Sequence, residues 1–307
     1  PKREAEARTK QILEQFYQKT QGEITRSFLS RMITRLESEQ SVKEYLDIMD
    51  HRKTEQLIDT LDKVEQNRKE CYIREFSIEH FHDSKVFETL IPKICKIFRE
   101  ENEELTGFEN EEILAEYQIY KTPGYVYMKG NVQIYSAGKQ AADISAFPEG
   151  IAVAVGSEED VPDICPDQTI DKVFTIENLT SFYRFKQEHS LVIYLGGYHN
   201  HSRRNLLMQI YQKLPDAQYY HFGDLDAGGF YILEHLKRKT GIPFQMFQMD
   251  IETLKKYEDY AKPLTENDKK RLMQLEKMEL PDKERKLITY MLQKGIKLEQ
   301  ECISESQ

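Results

Sequence analysis

The chain has 307 residues, 39 % hydrophobic and 31 % charged, enough apolar material for two or three domains of about 100–150 residues each. A formal net charge of −10 counts against a protein that coats DNA by bulk electrostatics, though it leaves room for a local basic patch. No run approaches the ~18–20 apolar residues of a membrane span, and the opening Pro-Lys-Arg-Glu-Ala-Glu is charged rather than an apolar signal core. The four cysteines (Cys71, Cys95, Cys165, Cys302) lie far apart without metal-ligand or disulfide-framework spacing, so a cytoplasmic protein off the membrane is expected.

Residues 1–74 read as a helical region for docking or dimerisation. Ile12, Leu13 and Phe16 recur at helical spacing among charges, Phe28, Met32 and Leu36 continue one face, and Val42 to Leu61 follow in the same style. Residues 75–166 change character. A helix from Val86 through Ile94 and Ile97 precedes short β-like runs at Glu116–Tyr120, Tyr125–Met128 and Gln133–Tyr135, separated by the turn signals Pro123-Gly124 and Gly130-Asn131. Helices followed by small hairpins are compatible with an α+β winged helix. The acidic, Pro-marked run from Ser157 to Asp171 reads as a linker.

From 167 to 307 the pattern is regular. Strands at Lys172–Ile176, Leu191–Leu195, Gln218–Phe222 and Phe244–Met249 alternate with helices at Ser181–Glu188, Arg203–Lys213, Gly229–Lys239 and from Ile251. Such alternation predicts a four-stranded parallel sheet flanked by helices, with right-handed crossovers. Thr265 with Asp268 fits a capping box for the next helix, and Pro281 fits the first position of the last long helix.

The chemistry follows from the topology. In a parallel sheet the C-terminal strand ends share one edge, outside which ligands bind. Glu177 directly follows one strand, and Asp224 and Asp226 follow another after Gly223. The three carboxylates are therefore expected to converge. Residues two apart in extended chain point the same way, so Asp224 and Asp226 can face one cation while Leu225 turns inward. Clustered carboxylates repel and take up protons unless a cation neutralises them. Mg²⁺ suits oxygen ligands, keeps waters and is commonly shared with phosphates, which makes cleavage of a nucleic-acid backbone the expected chemistry. Asp at a strand end or helix start also serves as a plain cap, so that reading stands beside the catalytic one. Between Arg184 and Arg204 four basic residues (Arg184, Lys186, Arg203, Arg204) face only Glu188, with His199 nearby, and they read equally as phosphate contacts or as a solvated helix start.

Lys172–Asn178 (KVFTIEN), Leu195-Gly196-Gly197 and Gly223–Gly229 (GDLDAGG) resemble the Toprim domain, and more narrowly the JetD family of Wadjet, a condensin-like plasmid-defence system, which is similar to topoisomerase VI A subunits. The tail Lys297–Glu301 resembles the same family. The resemblance implies a Toprim domain preceded by a winged-helix, CAP-like domain and a helical arm. It implies a homodimer cutting double-stranded plasmid DNA with Mg²⁺ or Mn²⁺ beside SMC-like ATPase, kleisin and accessory subunits. Carried over by position, Glu177, Asp224 and Asp226 are the acidic ligands, Ser84-Lys85 matches a DNA-facing position or is a plain helix N-cap, and Glu299 and Glu301 are additional acids near the metal edge or part of a solvated tail. Topoisomerase VI attacks phosphate with a tyrosine of its winged helix. Tyr72, Tyr117, Tyr120, Tyr125, Tyr127 and Tyr135 lie in or near that region, none in a matching motif, so metal-activated water ranks above covalent transesterification. A tyrosine-dependent strand breaker and a non-catalytic DNA-clamping scaffold are the alternatives. A haloacid-dehalogenase-type phosphatase is weaker, because Ala227-Gly228 stand where Thr or Val usually follows its Asp-x-Asp.

Overall fold

A computed structural model describes residues 2–106, 108–121, 124–155, 162–196 and 201–303. The chain divides into two units, 1–122 and 123–307.

The first unit is helical. Helices α1 (Lys2–Lys19), α2 (Glu23–Glu37) and α3 (His51–Gln66) bury Leu13, Phe28, Leu29, Met32, Ile58 and Leu61, each fully enclosed. Burial of each such side chain stabilises by about 1.5–3 kcal/mol relative to exposure. The start of α2 is capped from α3. The buried Glu65 carboxylate accepts from the amides of Ile24 and Thr25, both at 2.8 Å, and from the Thr25 hydroxyl at 2.6 Å. The stretch Val42–Asp50, expected as helix, is a series of turns, although Val42, Tyr45, Leu46 and Ile48 are buried. A two-residue strand β1 (Cys71–Tyr72) leads into α4 (Ile73–Phe81), α5 (Val86–Glu101) and α6 (Asn110–Glu116), and β1 pairs in parallel with β2 (Ile119–Tyr120). Of the expected strand over Glu116–Tyr120 only Ile119–Tyr120 is strand; Glu116 ends α6 and Tyr117-Gln118 form a turn between them. Lys85 is the residue preceding α5, its amide held by Asp83 at 2.7 Å and its side chain exposed.

In the second unit β3 (Gly124–Lys129) and β4 (Val132–Ser136) follow one another in sequence but enter different sheets. β4 sits in a small antiparallel sheet between β5 (Lys139–Asp143) and β7 (Asp163–Pro166). The described part of the run read as a linker therefore contains a strand, whereas residues 156–161 lie outside the described residues. β3 joins the main sheet, antiparallel to β6 (Ile151–Val155) and to β9 (Ser190–Tyr194). The hairpin expected from Tyr125–Met128 and Gln133–Tyr135 is not formed. Residues 75–122 and 123–166, read from sequence as one winged-helix domain, fall on either side of the division between the units.

The core of the main sheet is the expected parallel one. Its order is β11-β10-β8-β9-β3-β6, with β8 (Lys172–Ile176), β10 (Gln218–Phe222) and β11 (Gln245–Met246) parallel to β9. The register pairs Ile176 with both Phe222 and Tyr194, so these strands end level. Their residues are apolar on both faces, as a sheet covered on both sides requires. One face stacks Phe174, Phe185, Phe222 and Phe247 beneath α7 (Leu179–Arg184). The other carries Tyr219 against Tyr211 and Phe244, under α8 (His201–Lys213) and α9 (Ala227–Thr240). α10 (Ile251–Lys256) leads to β12 (Lys262–Pro263), which pairs antiparallel with β13 (Ile296–Lys297) after α11 (Glu266–Glu276) and α12 (Asp282–Lys294). The Thr265–Asp268 capping box forms as expected. No helix among the described residues is long and apolar enough to cross a membrane.

Candidate functional site

Level strand ends put the chain just beyond β8 and β10 side by side. The Glu177 amide donates to the Phe222 carbonyl at 3.1 Å, which continues the ladder one residue past the strands. The Glu177 carboxylate then turns over Gly223, and its Oε2 accepts from the Asp224 amide at 3.4 Å across 47 residues of sequence. Glycine at 223 leaves room for this approach: a methyl there would stand 2.6 Å from Oε2, and the Glu177 side chain would have to shift.

Past Gly223 the chain does not stay free. Leu225, fully buried, forms an antiparallel bridge with Leu298, its amide and carbonyl bonded at 2.9 and 3.1 Å. This brings residues 298–301 back along the rim. The Gln300 amide donates to Asp224 Oδ1 at 2.7 Å. The buried Gln300 side chain bonds the Phe222 carbonyl at 3.0 Å and takes the Asn178 amide at 2.9 Å. Asn178 Nδ2 in turn donates to Glu301 at 2.6 Å, and Glu299 pairs with Lys262 at 2.6 Å. Asp226 caps α9, its Oδ1 accepting from the Gly229 amide at 2.8 Å. A carboxylate that caps through one oxygen has a second available to a cation. Gly229 is fixed by contact, since a methyl there would meet the Asp224 carbonyl at 2.2 Å.

Electrostatically the rim is strained by like charges. The Asp224 carboxyl is pushed up to about 6, first by burial and then by the charges of Asp226, Glu299 and Glu301, against the Gln300 amide, which favours its ionised form. The donors are hard oxygens, the set that Mg²⁺ and Mn²⁺ prefer. Among the described residues no three His, Cys, Asp or Glu side chains stand close enough to hold an ion together as they are. Mg²⁺ does not need such a cage, because it usually binds through one or two carboxylates and keeps its remaining ligands as water. On donor chemistry, the oxygens of Glu177, Asp224 and Asp226 suit an ion held by one or two of them with water completing its shell.

The basic residues separate. Arg203 is at the rim, its Nη1 donating to the Leu195 carbonyl at 2.5 Å, just past the end of β9. Arg184 and Lys186 are exposed but lie where the crossover from β8 has run back across the sheet. Lys186 borders a cleft with Gly130 and Ser190, at the start of β9 rather than its end. Arg204 is buried at 6 % exposure, and with burial itself it holds His235 down to about 3. The four therefore form no single exposed patch beside the carboxylates, because α7 reverses direction and α8 turns Arg204 inward. His199 lies outside the described residues, and Lys85 belongs to the first unit.

Two rim residues carry no signal of their own in the sequence. Gln300 reads as one more polar tail residue, yet it binds both strand ends. Tyr194 reads as strand, yet its hydroxyl feels both Arg203 and Glu177, and burial raises its pKa.

Residues 159–307 match the family model described as "Wadjet protein JetD, C-terminal". The chain is also 28 % identical over 263 residues to Wadjet protein JetD of Bacillus cereus (strain Q1), an alignment that covers 84 % of this chain and 63 % of that relative's length. Glu177, Asp224, Asp226, Glu299 and Glu301 all fall within the family match. The acidic rim thus lies within the stretch, residues 159–307, that matches the JetD C-terminal family model.

Proposed function

We propose that this chain is the DNA-cutting subunit of a Wadjet-type defence complex, and that its acidic rim is a Toprim-like site that binds Mg²⁺ or Mn²⁺ and hydrolyses double-stranded DNA. The observation that carries the reading is the meeting of Glu177 and Asp224, which leave different strands and reach one another over Gly223. The match to the JetD C-terminal family model supports the defence context. Homodimerisation, the plasmid substrate and partnership with SMC-like ATPase, kleisin and accessory subunits are parts of the same proposal.

Asp224 and Asp226 would hold the ion, with Glu177 beside them. A divalent ion there supplies charge neutralisation for the scissile phosphate and acidifies a bound water. The chain's own contribution is positional. Leu298 and Gln300 pin the Asp224 loop, so the carboxylates do not reorganise as charge develops. Arg203, bonded to the Leu195 carbonyl at the same rim, would meet a backbone phosphate in this reading. Glu177 is placed to orient an attacking water or receive its proton.

Hydrolysis is preferred to tyrosine attack. Of the tyrosines in the region where that mechanism would place a nucleophile, Tyr117 is pushed well above its ordinary value by burial and by Glu65 and Glu116, which disfavours the phenolate. A supercoiled-plasmid nicking assay with Mg²⁺ or Mn²⁺ tests the proposal, comparing the wild type with Asp224→Ala/Asp226→Ala. Loss of cutting in the variant is expected, and equal cutting by both would end the assignment. Protein-linked DNA ends would favour the tyrosine mechanism instead. The net charge of −10 predicts weak cutting by the isolated chain and faster cutting in the assembled complex.

A further inference from the structure

His221 lies on β10 directly below the rim, with no solvent exposure, and its Nε2 has no hydrogen-bond partner among the described residues. Its other nitrogen, Nδ1, is 3.0 Å from the Thr175 hydroxyl. That hydroxyl gives its hydrogen to the Tyr220 carbonyl at 3.2 Å. A hydroxyl has one hydrogen; in the tautomer that satisfies both contacts, its oxygen accepts from Nδ1–H and Nε2 carries the lone pair. Burial, helped by Lys237, pushes the imidazole down to about 3, and the ring stays neutral.

An unsatisfied buried acceptor costs about 1–3 kcal/mol. What it faces gives the reason it is tolerated. A methyl added to Gly223 would stand 2.6 Å from Glu177 Oε2 and 2.9 Å from His221 Nε2. A carboxylate oxygen and an imidazole lone pair, both acceptors, therefore border the same small space over a residue without a side chain. A buried acceptor beside a carboxylate oxygen is unfavourable unless a donor lies between them.

We propose that His221 is a positioning residue for Glu177: a water over Gly223 donates one hydrogen to His221 Nε2 and the other to the Glu177 carboxylate, fixing the orientation of that carboxylate at the rim. This rests on the reading of the rim as a divalent-metal site. A water has two donors for two acceptors, and glycine leaves it room. Thr175 holds the ring, so the relay runs from the Tyr220 carbonyl through Thr175, His221 and water to Glu177. Groups that orient a metal-binding carboxylate typically contribute ten- to hundred-fold to metal affinity.

Two measurements on the full chain test it. Long-range ¹H–¹⁵N correlation of the metal-free protein should show His221 with a protonated Nδ1 and an Nε2 that accepts a hydrogen bond, and a protonated Nε2 overturns the proposal. Mn²⁺ binding followed by EPR should weaken about ten-fold or more in His221→Leu. His221→Gln, which sets an amide oxygen near the place of Nε2, should recover most of that loss, whereas a packing role alone would give no such recovery. Equal Mn²⁺ affinity in wild type and His221→Leu also overturns it. A wild-type chain that binds no Mn²⁺ overturns the metal reading of the rim, while the nitrogen spectrum still decides the hydrogen bond at His221.

Discussion

The Asp224 carboxylate accepts its 2.7 Å hydrogen bond from the backbone of Gln300, 76 residues further along the chain. The acidic rim is thus built from strand ends and from a returning segment that holds them. Removing the Gln300 side chain leaves the Asn178 amide without its partner and the Phe222 carbonyl with the Glu177 amide alone. At about 1–3 kcal/mol for a group left unsatisfied, Gln300→Ala should cost roughly 2 kcal/mol in urea unfolding. A change well under 1 kcal/mol would mean that this segment holds little.

Asp226 serves both as helix cap and as candidate ligand, and two substitutions separate the roles. Asp226→Asn keeps an oxygen for the Gly229 amide, whereas Asp226→Ala loses the cap at a cost of about 1 kcal/mol. Both should abolish nicking, and only the alanine variant should unfold earlier. Full activity in Asp226→Asn would remove its charge from the chemistry.

The raised Asp224 pKa gives a pH dependence with a definite sign. Because its folded value, about 6, exceeds its ordinary 3.8, the folded state holds the proton more tightly than the unfolded chain. This carboxyl therefore favours folding at low pH, and that contribution is lost as pH rises toward about 6, then stays flat. In EDTA the effect should be roughly 3 kcal/mol. Asp224→Asn should flatten that part of the profile, and Mg²⁺ binding to the wild type should weaken below pH 6 as protons compete. The same profile in Asp224→Asn and wild type would assign it to other groups.

Arg203 and Lys186 provide a spatial control. Arg203 stands at the strand ends and Lys186 at the strand starts. Arg203→Ala should slow plasmid cutting roughly ten-fold, the equivalent of about 1.4 kcal/mol, and Lys186→Ala should leave it nearly unchanged. The reverse order would mean that DNA approaches from the other edge.

The parallel core and the placement of Glu177 and Asp224 were legible because strand–helix alternation dictates where strand ends lie. Capping at Asp226 was legible too, but nothing local tells a cap from a ligand when one carboxylate can do both. The destination of Tyr125–Met128 was not legible. Alternation marks a strand, but its pairing with β9 rather than with the neighbouring β4 is decided by tertiary packing. Arg204 misled for the opposite reason: charge argues for solvent, whereas the face of α8 that carries it packs inward. Gln300 was invisible because its value comes from backbone groups on two distant strands, and no side-chain pattern records them.

The bridge between Leu225 and Leu298 also imposes an order in time. Chains grow from the N-terminus, so both strand ends are made well before the segment that fastens them. Until residue 300 has left the ribosome, Asp224 lacks the amide that holds it, and a nascent chain carries an unfinished rim.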